Sequence, residues 1–277
     1  MWESKSTTLR KGTQTVGSVF YYLFCCPFIE PRRAVEFLKN VYFYKQAESI
    51  RRLDQTVIPT VSPEDLFPGL FARPVQVLEL GGTQRGGTSL YESYLLASIV
   101  QYVRPQILFE FGTFEGRTTL QLALNSPPDA VVYTLDLPEN QGSTRYRLSF
   151  PEENRLRSLP VGGFFQSCTV SGKIRQLFAD SATADYKALQ GSVDFIFVDA
   201  DHGYNYVKSD SENAFSMRSP RGVILWHDYG SRWKDVTMWL RDVATYGRKS
   251  IYHLEGTNLA VYAPSISLSR QPEVAGA

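Results

Sequence analysis

Five short apolar runs, each meeting an acid at its carboxyl end and most followed by a helical pattern, constrain this chain more than any other feature. They are Ile107 to Phe111 with Glu110, Val131 to Leu135 before Asp136, and Ile174 to Ala179 before Asp180. Val193 to Val198 before Asp199 and Gly222 to Trp226 before His227-Asp228 complete the series. Helical patterns run from Gly116 to Asn125, from Asp180 briefly to Leu189, from Tyr204 to Met217 and from Trp233 to Tyr246. Such strand–helix alternation predicts a parallel sheet with helices on both faces. Two closing runs, Ile251 to Leu254 and Leu259 to Tyr262, flank "EGTN", which predicts an antiparallel hairpin at the sheet's edge. The expected fold is α/β, a doubly wound, mostly parallel, seven-stranded sheet with an N-terminal helical extension.

The rhythm sets the expected organisation. Residues 1–104 form the extension, with a strand at Val75 to Leu80 and a helix from Ser89 to Val103. The sheet domain spans 105–265, and 266–277 is a tail. Within the domain, 138–172 holds arginines, prolines and Gly162-Gly163 between strands two and three. A connection that long is functional or mobile more often than structural, so it is expected to act as a lid.

Composition excludes several functions. A net charge of +1 leaves no electrostatic footprint for nucleic acid. The cysteines, Cys25, Cys26 and Cys168, are odd in number and lack metal spacing, so a reduced, cytoplasmic protein is expected. The most apolar run, Val16 to Ile29, is too short to span a bilayer. Its first reading is a helix packed on the domain or at a subunit interface, which makes a homo-oligomer the expectation. Its second is an interfacial membrane anchor aided by Arg32 and Arg33, with acylation at Cys25 or Cys26.

In open α/β sheets ligands bind beyond the carboxyl ends of the strands, where these acids cluster. Helix N-capping explains one or two of them; a whole series favours a site. The loop "EFGTFEGRTT" has Gly112 and Gly116 but Phe114, so the dinucleotide pattern is not met. A ligand without a pyrophosphate needs only the tight turn and the helix start. Asp136, 20 residues after Gly116, is placed to accept both hydroxyls of a ribose. A positively charged nucleoside ligand would also account for the acids.

These motifs resemble those of class I S-adenosylmethionine-dependent methyltransferases. The resemblance rests on Glu110-Phe-Gly-Thr-Phe-Glu-Gly116, Asp136, "FADS", "FIFVDADHGYNYVKSD" and "GVILWHDY", the last like that of small-molecule and sugar O-methyltransferases. It covers about residues 75–263 and implies a Rossmann-like fold and S-adenosylmethionine as cofactor. By resemblance Glu110, Gly112, Thr113 and Gly116 shape the methionine pocket, which Thr88, Ser89 and Glu92 help close. Asp136 holds the ribose, Asp180 and Ser181 border the adenine, and Asp199 adjoins the cofactor. The metal-assisted members imply a divalent cation on Asp199 and Asp228, with Asp201 as the base that takes the acceptor's proton. His227 stands where an acid often stands. It enters as a third metal ligand, which shifts the expected ion from Mg²⁺ toward Mn²⁺, or as a metal-free base. His202, just before Gly203, is expected to be a turn residue.

The implied reaction is methyl transfer to a hydroxyl of a small molecule, a sugar or other natural product. The rival readings are a nicotinamide oxidoreductase, disfavoured by Phe114, and a non-catalytic scaffold that kept the cofactor pocket. "GGTQRGGTS" (81–89) looks like a phosphate loop but has Gly87 where the lysine is required.

Overall fold

A computed structural model describes residues 56–78, 87–138, 143–149 and 160–266, together with the helical positions Pro31, Val35, Leu38, Tyr42 and Lys45. The chain divides into two compact units, Met1–Ile50 and Arg51–Ala277. In the first, Val35, Leu38 and Tyr42 are exposed on their helix. The apolar 16–29 segment, Cys25 and Cys26 lie outside the described residues. Among the described residues no helix is long and apolar enough to cross a membrane.

The second unit holds β1 (Thr60–Val61), α1 (Pro63–Leu66), α2 (Leu90–Val103), β2 (Ile107–Phe111), α3 (Arg117–Asn125) and β3 (Val131–Asp136). There follow β4 (Ile174–Phe178), β5 (Val193–Val198), α4 (Tyr204–Met217), β6 (Arg218–Trp226), α5 (Lys234–Thr245), β7 (Ile251–Leu254) and β8 (Ala260–Tyr262). They form one eight-stranded sheet in the order β1-β7-β8-β6-β5-β2-β3-β4. Seven of these strands are the expected ones. The eighth, two-residue β1 pairs in parallel with β7, so the β7–β8 hairpin lies one strand in from the edge. Only β8 runs against its neighbours, β6 and β7.

Side-chain alternation sorts the strands into two cores, because successive residues point to opposite faces. Leu108, Phe195, Phe197, Val223 and Leu225 pack with Leu95 and Leu96 of α2 and Leu120 of α3. Phe109, Phe111, Ile196, Ile224 and Trp226 pack with Val207 of α4 and Leu240 of α5. Central β5 is buried along its whole length, as a strand covered on both faces must be. The chain winds from β2 outward to β3 and β4, then returns to β5 on the other side of β2. That reversal opens a crevice between the ends of β2 and β5.

Two expected elements come out differently. Asp180 is followed by a turn and a single 3₁₀ turn, Lys187–Leu189, in place of a regular helix. The expected strand at 75–80 has no regular secondary structure over its described part, 75–78, and joins no sheet. Two amides of α3 bind it instead. Asn125 accepts from Gln76 N and donates to Gln76 O, both at 2.8 Å. Gln121 treats Leu78 in the same way, at 3.1 and 2.7 Å. Residues four apart share one helix face, so this pair imitates a strand edge. An apolar run cannot reveal whether its backbone partner is a strand or a row of side-chain amides. Asn125→Ala is expected to cost about 1 kcal/mol. It should also speed amide exchange at Gln76 and Leu78 while leaving β5 protected, which exchange measurements read directly.

Candidate active site

The crevice begins where β2 ends. Gly112 has a φ of +92°, and a Cβ there would lie 2.1 Å from the carbonyl oxygen of Asp199. Only glycine admits that approach. Asp199 N donates to Phe111 O and His227 N to Val198 O, so the sheet's bonding continues one residue beyond the strands. Phe114 also lies in the left-handed region, at φ +47°. The loop thus keeps a glycine-like bend although the residue is aromatic, at a cost of about 1–2 kcal/mol. Phe114 N donates to Asp136 Oδ2 at 2.6 Å, which ties this bend to the end of β3. Gly116, at φ +83°, caps α3 and packs under the Phe165 ring.

Beneath the loop Glu110 is buried. It accepts from the hydroxyls of Thr119 and Thr134, and Thr134 contacts Thr113 Oγ1 at 2.7 Å. Burial, helped by the charges of Asp199 and Asp136, outweighs those bonds and pushes its carboxyl up from 4.5 to about 8. Thr113 and Glu110 thus form the floor of the loop.

The outer acids hold the chain that crosses the strand ends. Asp180 accepts from Arg145 N at 2.6 Å, Ala182 N at 3.0 Å and the Tyr206 hydroxyl at 3.1 Å. Ser181 lends its carbonyl to Tyr186 and Asn213. Asp201 accepts from Ser149 N and Ser149 Oγ on one oxygen and from Gly203 N on the other. Buried and bonded three times, Asp201 fastens the 143–149 segment, which revises its expected role as a free base. Asp210 of α4, fully buried beside them, is pushed up to about 8 by burial and by Asp201 and Asp180.

The reactive cluster lies between β5, β6 and α2. Ser89 caps α2 in a reciprocal box with Glu92, and Thr88 Oγ1 meets Ser93 Oγ at 3.0 Å. Glu92 also accepts from Asn258 N at 2.8 Å, which joins the helix start to the hairpin. His227, buried, approaches Glu92 Oε2 at 3.4 Å with Nε2; its Nδ1 approaches Asp199 Oδ1 at 3.4 Å and Asp228 Oδ2 at 3.5 Å. Burial disfavours the imidazolium, but these carboxylates, Asp199 foremost, outweigh it and hold the ring charged well above 6.5. Burial likewise opposes the ionised form of Glu92, yet His227 and the backbone N–H donors draw it down to about 2. Asp228 sits in the left-handed region at φ +62°, which aspartate tolerates, and is held far below the usual carboxylate range despite burial by His202 and His227.

His202 belongs to this cluster, contrary to its reading as a turn residue. Its Nε2 lies 2.8 Å from Asp228 Oδ2, and its ring stacks on Trp233 at 4.4 Å. The signal available in the sequence was the Asp199–His202 spacing; Trp233, on a separate loop, carried none. One ligand atom each from Asp199, His202 and Asp228 lies within 4.8 Å of the others, a set able to hold a cation.

Glu110 generates a pH prediction. Between its ordinary 4.5 and about 8 the folded state holds a proton that the unfolded chain has lost, so stability from this group falls as pH rises across that window. In urea denaturation, Glu110→Gln should gain on the wild type as pH goes from about 5 to 8, by up to about 1 kcal/mol per pH unit. A constant difference would mean that Glu110 is already ionised at pH 5. Gly112→Ala should collapse the crevice, seen as loss of ligand binding with the far-ultraviolet spectrum largely kept.

A family model described as a methyltransferase domain matches residues 109–229. No curated protein matches the chain. Among solved structures it is similar to the O-methyltransferase TomG of Streptomyces achromogenes, which is involved in tomaymycin synthesis and was solved with S-adenosylmethionine. The identity is 16% over 64% of this chain and 81% of that one, with a TM-score of 0.45. For the Podospora anserina methyltransferase PaMTH1, bound to S-adenosylhomocysteine, the values are 14%, 64%, 79% and 0.47. For a Bacillus cereus O-methyltransferase in complex with S-adenosylhomocysteine they are 16%, 78%, 97% and 0.44. The matched residues run from β2 to the cluster after β6, so the part of this doubly wound α/β protein that carries the glycine loop and the acid cluster is similar to a methyltransferase domain.

Proposed function

We propose that the domain transfers the methyl group of S-adenosylmethionine to a hydroxyl of a small molecule, a sugar or other natural product, with a divalent cation bound at Asp199 and Asp228. The observation that carries this reading is the meeting of two sites at one point. The glycine loop of a methyltransferase domain touches, through Gly112, the same Asp199 that opens the carboxylate–imidazole cluster.

In this reading the loop from Gly112 to Gly116 receives the methionine part, Asp136 takes the ribose and Asp180-Ser181 bounds the adenine. Glu92 and His227 line the methionine end. The acceptor enters over Asp199, beneath the segment that Asp180 and Asp201 fasten. The donor set fits a cation: two carboxylates and an imidazole converge, and they include a buried nitrogen without an aligned hydrogen bond among the described residues. A bound cation would lower the pKa of an acceptor hydroxyl and orient it. The protein's own residues do the rest. They hold the hydroxyl oxygen in line with the sulfonium methyl and exclude water. The oxygen–carbon bond forms as the sulfur–carbon bond breaks, and the hydroxyl proton leaves to the Asp199 carboxylate, because His227 already carries its proton. The products are a methyl ether and S-adenosylhomocysteine. A scaffold role is disfavoured, because a scaffold has no use for three carboxylates gathered around one buried imidazole.

Calorimetric titration with S-adenosylmethionine and S-adenosylhomocysteine tests the donor. Both should bind the wild type, and Asp136→Ala should bind at least about 10-fold more weakly, equivalent to about 1.4 kcal/mol. Absence of binding in the wild type would overturn the reading. Asp199→Asn should retain cofactor affinity and lose transfer.

A further inference from the structure

Two imidazoles border the Asp199–Asp228 carboxylates, and the structure tells them apart. His227 is engaged on both sides. Its Nε2 faces Glu92, and its Nδ1 lies nearly equidistant from Asp199 and Asp228, at 3.4 and 3.5 Å. Such a ring braces the carboxylates from behind.

Among the described residues His202 meets the carboxylates through one nitrogen, and oddly. Its Nε2 lies 2.8 Å from Asp228 Oδ2 and 3.8 Å from Asp199 Oδ1. That nitrogen is sealed from solvent, yet among the described residues no hydrogen bond is aligned with it. Were the contact a simple ion pair, a small turn of the ring would point the N–H at the oxygen and gain a charge-assisted bond. The two atoms instead lie side by side without facing each other. Neighbouring ligands of one cation do so: bonds of about 2.1 Å at a right angle set their ends about 3 Å apart.

The ring is also held in place. Trp233 stacks on it with centroids 4.4 Å apart and planes 12° from parallel. Behind it, His202 N donates to Ser149 Oγ at 3.2 Å, and that hydroxyl donates to Asp201 Oδ2 at 2.9 Å. A residue that merely completes a turn needs neither restraint. The stack and the fastened backbone together limit how the imidazole can turn.

We propose that His202 is a nitrogen ligand of the cation held by Asp199 and Asp228, and that Trp233 is the positioning residue that fixes its ring. The inference rests on the cation reading of the proposed function and refines it. His227 supports the site without ligating, and Asp201, through Ser149, anchors the ligand's backbone. One imidazole with two carboxylates favours Mn²⁺, Fe²⁺ or Zn²⁺ over Mg²⁺.

The test uses the full chain, stripped with a chelator and reloaded with Mn²⁺, and reads electron spin-echo modulation as well as calorimetric affinity. The wild type should show modulation from a directly bound ¹⁴N, and His202→Asn should lose it. Mn²⁺ affinity should fall at least about 10-fold in His202→Asn, and by about 10-fold in Trp233→Leu with the ¹⁴N signal kept. Binding of S-adenosylhomocysteine to each variant shows that it is folded. Mn²⁺ bound without ¹⁴N modulation, or modulation that survives in His202→Asn, would overturn the ligand assignment and leave the methyltransferase reading intact. No Mn²⁺ binding to a wild type that still binds S-adenosylhomocysteine would overturn the cation site, and this assignment with it. Failure to bind S-adenosylhomocysteine would instead indict the donor.

Discussion

The contact between the backbones of Gly112 and Asp199 governs this molecule. Parallel strands β2 and β5 are neighbours at the point where the winding reverses, so their carboxyl ends must diverge into loops that lead to opposite faces. With no side chain at 112, the two loops can touch before they part. That contact brings the glycine loop and the acid cluster to a common wall. A methyl donor in one and an acceptor in the other would then meet without either loop having to move.

Charge is the second constraint. The strand ends gather Glu110, Asp136, Asp180, Asp199, Asp201 and Asp228, all at least half-buried. The structure handles them in three ways. Glu110 and Asp210 are kept neutral by burial. Asp136 is satisfied by the backbone N–H groups of Phe114 and Leu137, and Asp180 and Asp201 by those of the segment that crosses the site. Asp228 keeps its charge beside His202 and His227, and Asp199 joins it against the His227 ring. The two acids that look most alike in the sequence, Asp199 and Asp201, thus fall into different groups. Alternation would put residues two apart on one face, but both lie beyond the end of β5, where the chain has left the strand path and carries them to different neighbours.

The strands and long helices were legible because their signals are local. The continuous apolar runs of β5 and β6, and the helix starts at Ser89 and Gly116, depend on residues close together in the chain. The glycine loop and its tie to β3 were legible for the same reason, as Gly112, Gly116 and Asp136 follow one another within a single β–α–β unit. The eighth strand was not, because two residues carry no period. Nor was the fate of 75–78, whose partners are side chains of a helix more than forty residues away.

The sequence by itself determined the doubly wound sheet, the order of the acids and which of them stand at strand ends, because an unpaired carboxylate along a buried strand is costly. Only the tertiary structure decided which acids are fasteners and which are free to work. It placed His202 against Asp228 and Trp233 against His202, and drew Glu92 across to His227 over 135 residues of chain. Those pairings join loops from different β–α units. Their geometry follows from how the strands are ordered in the sheet, a long-range property that no local pattern of residues encodes.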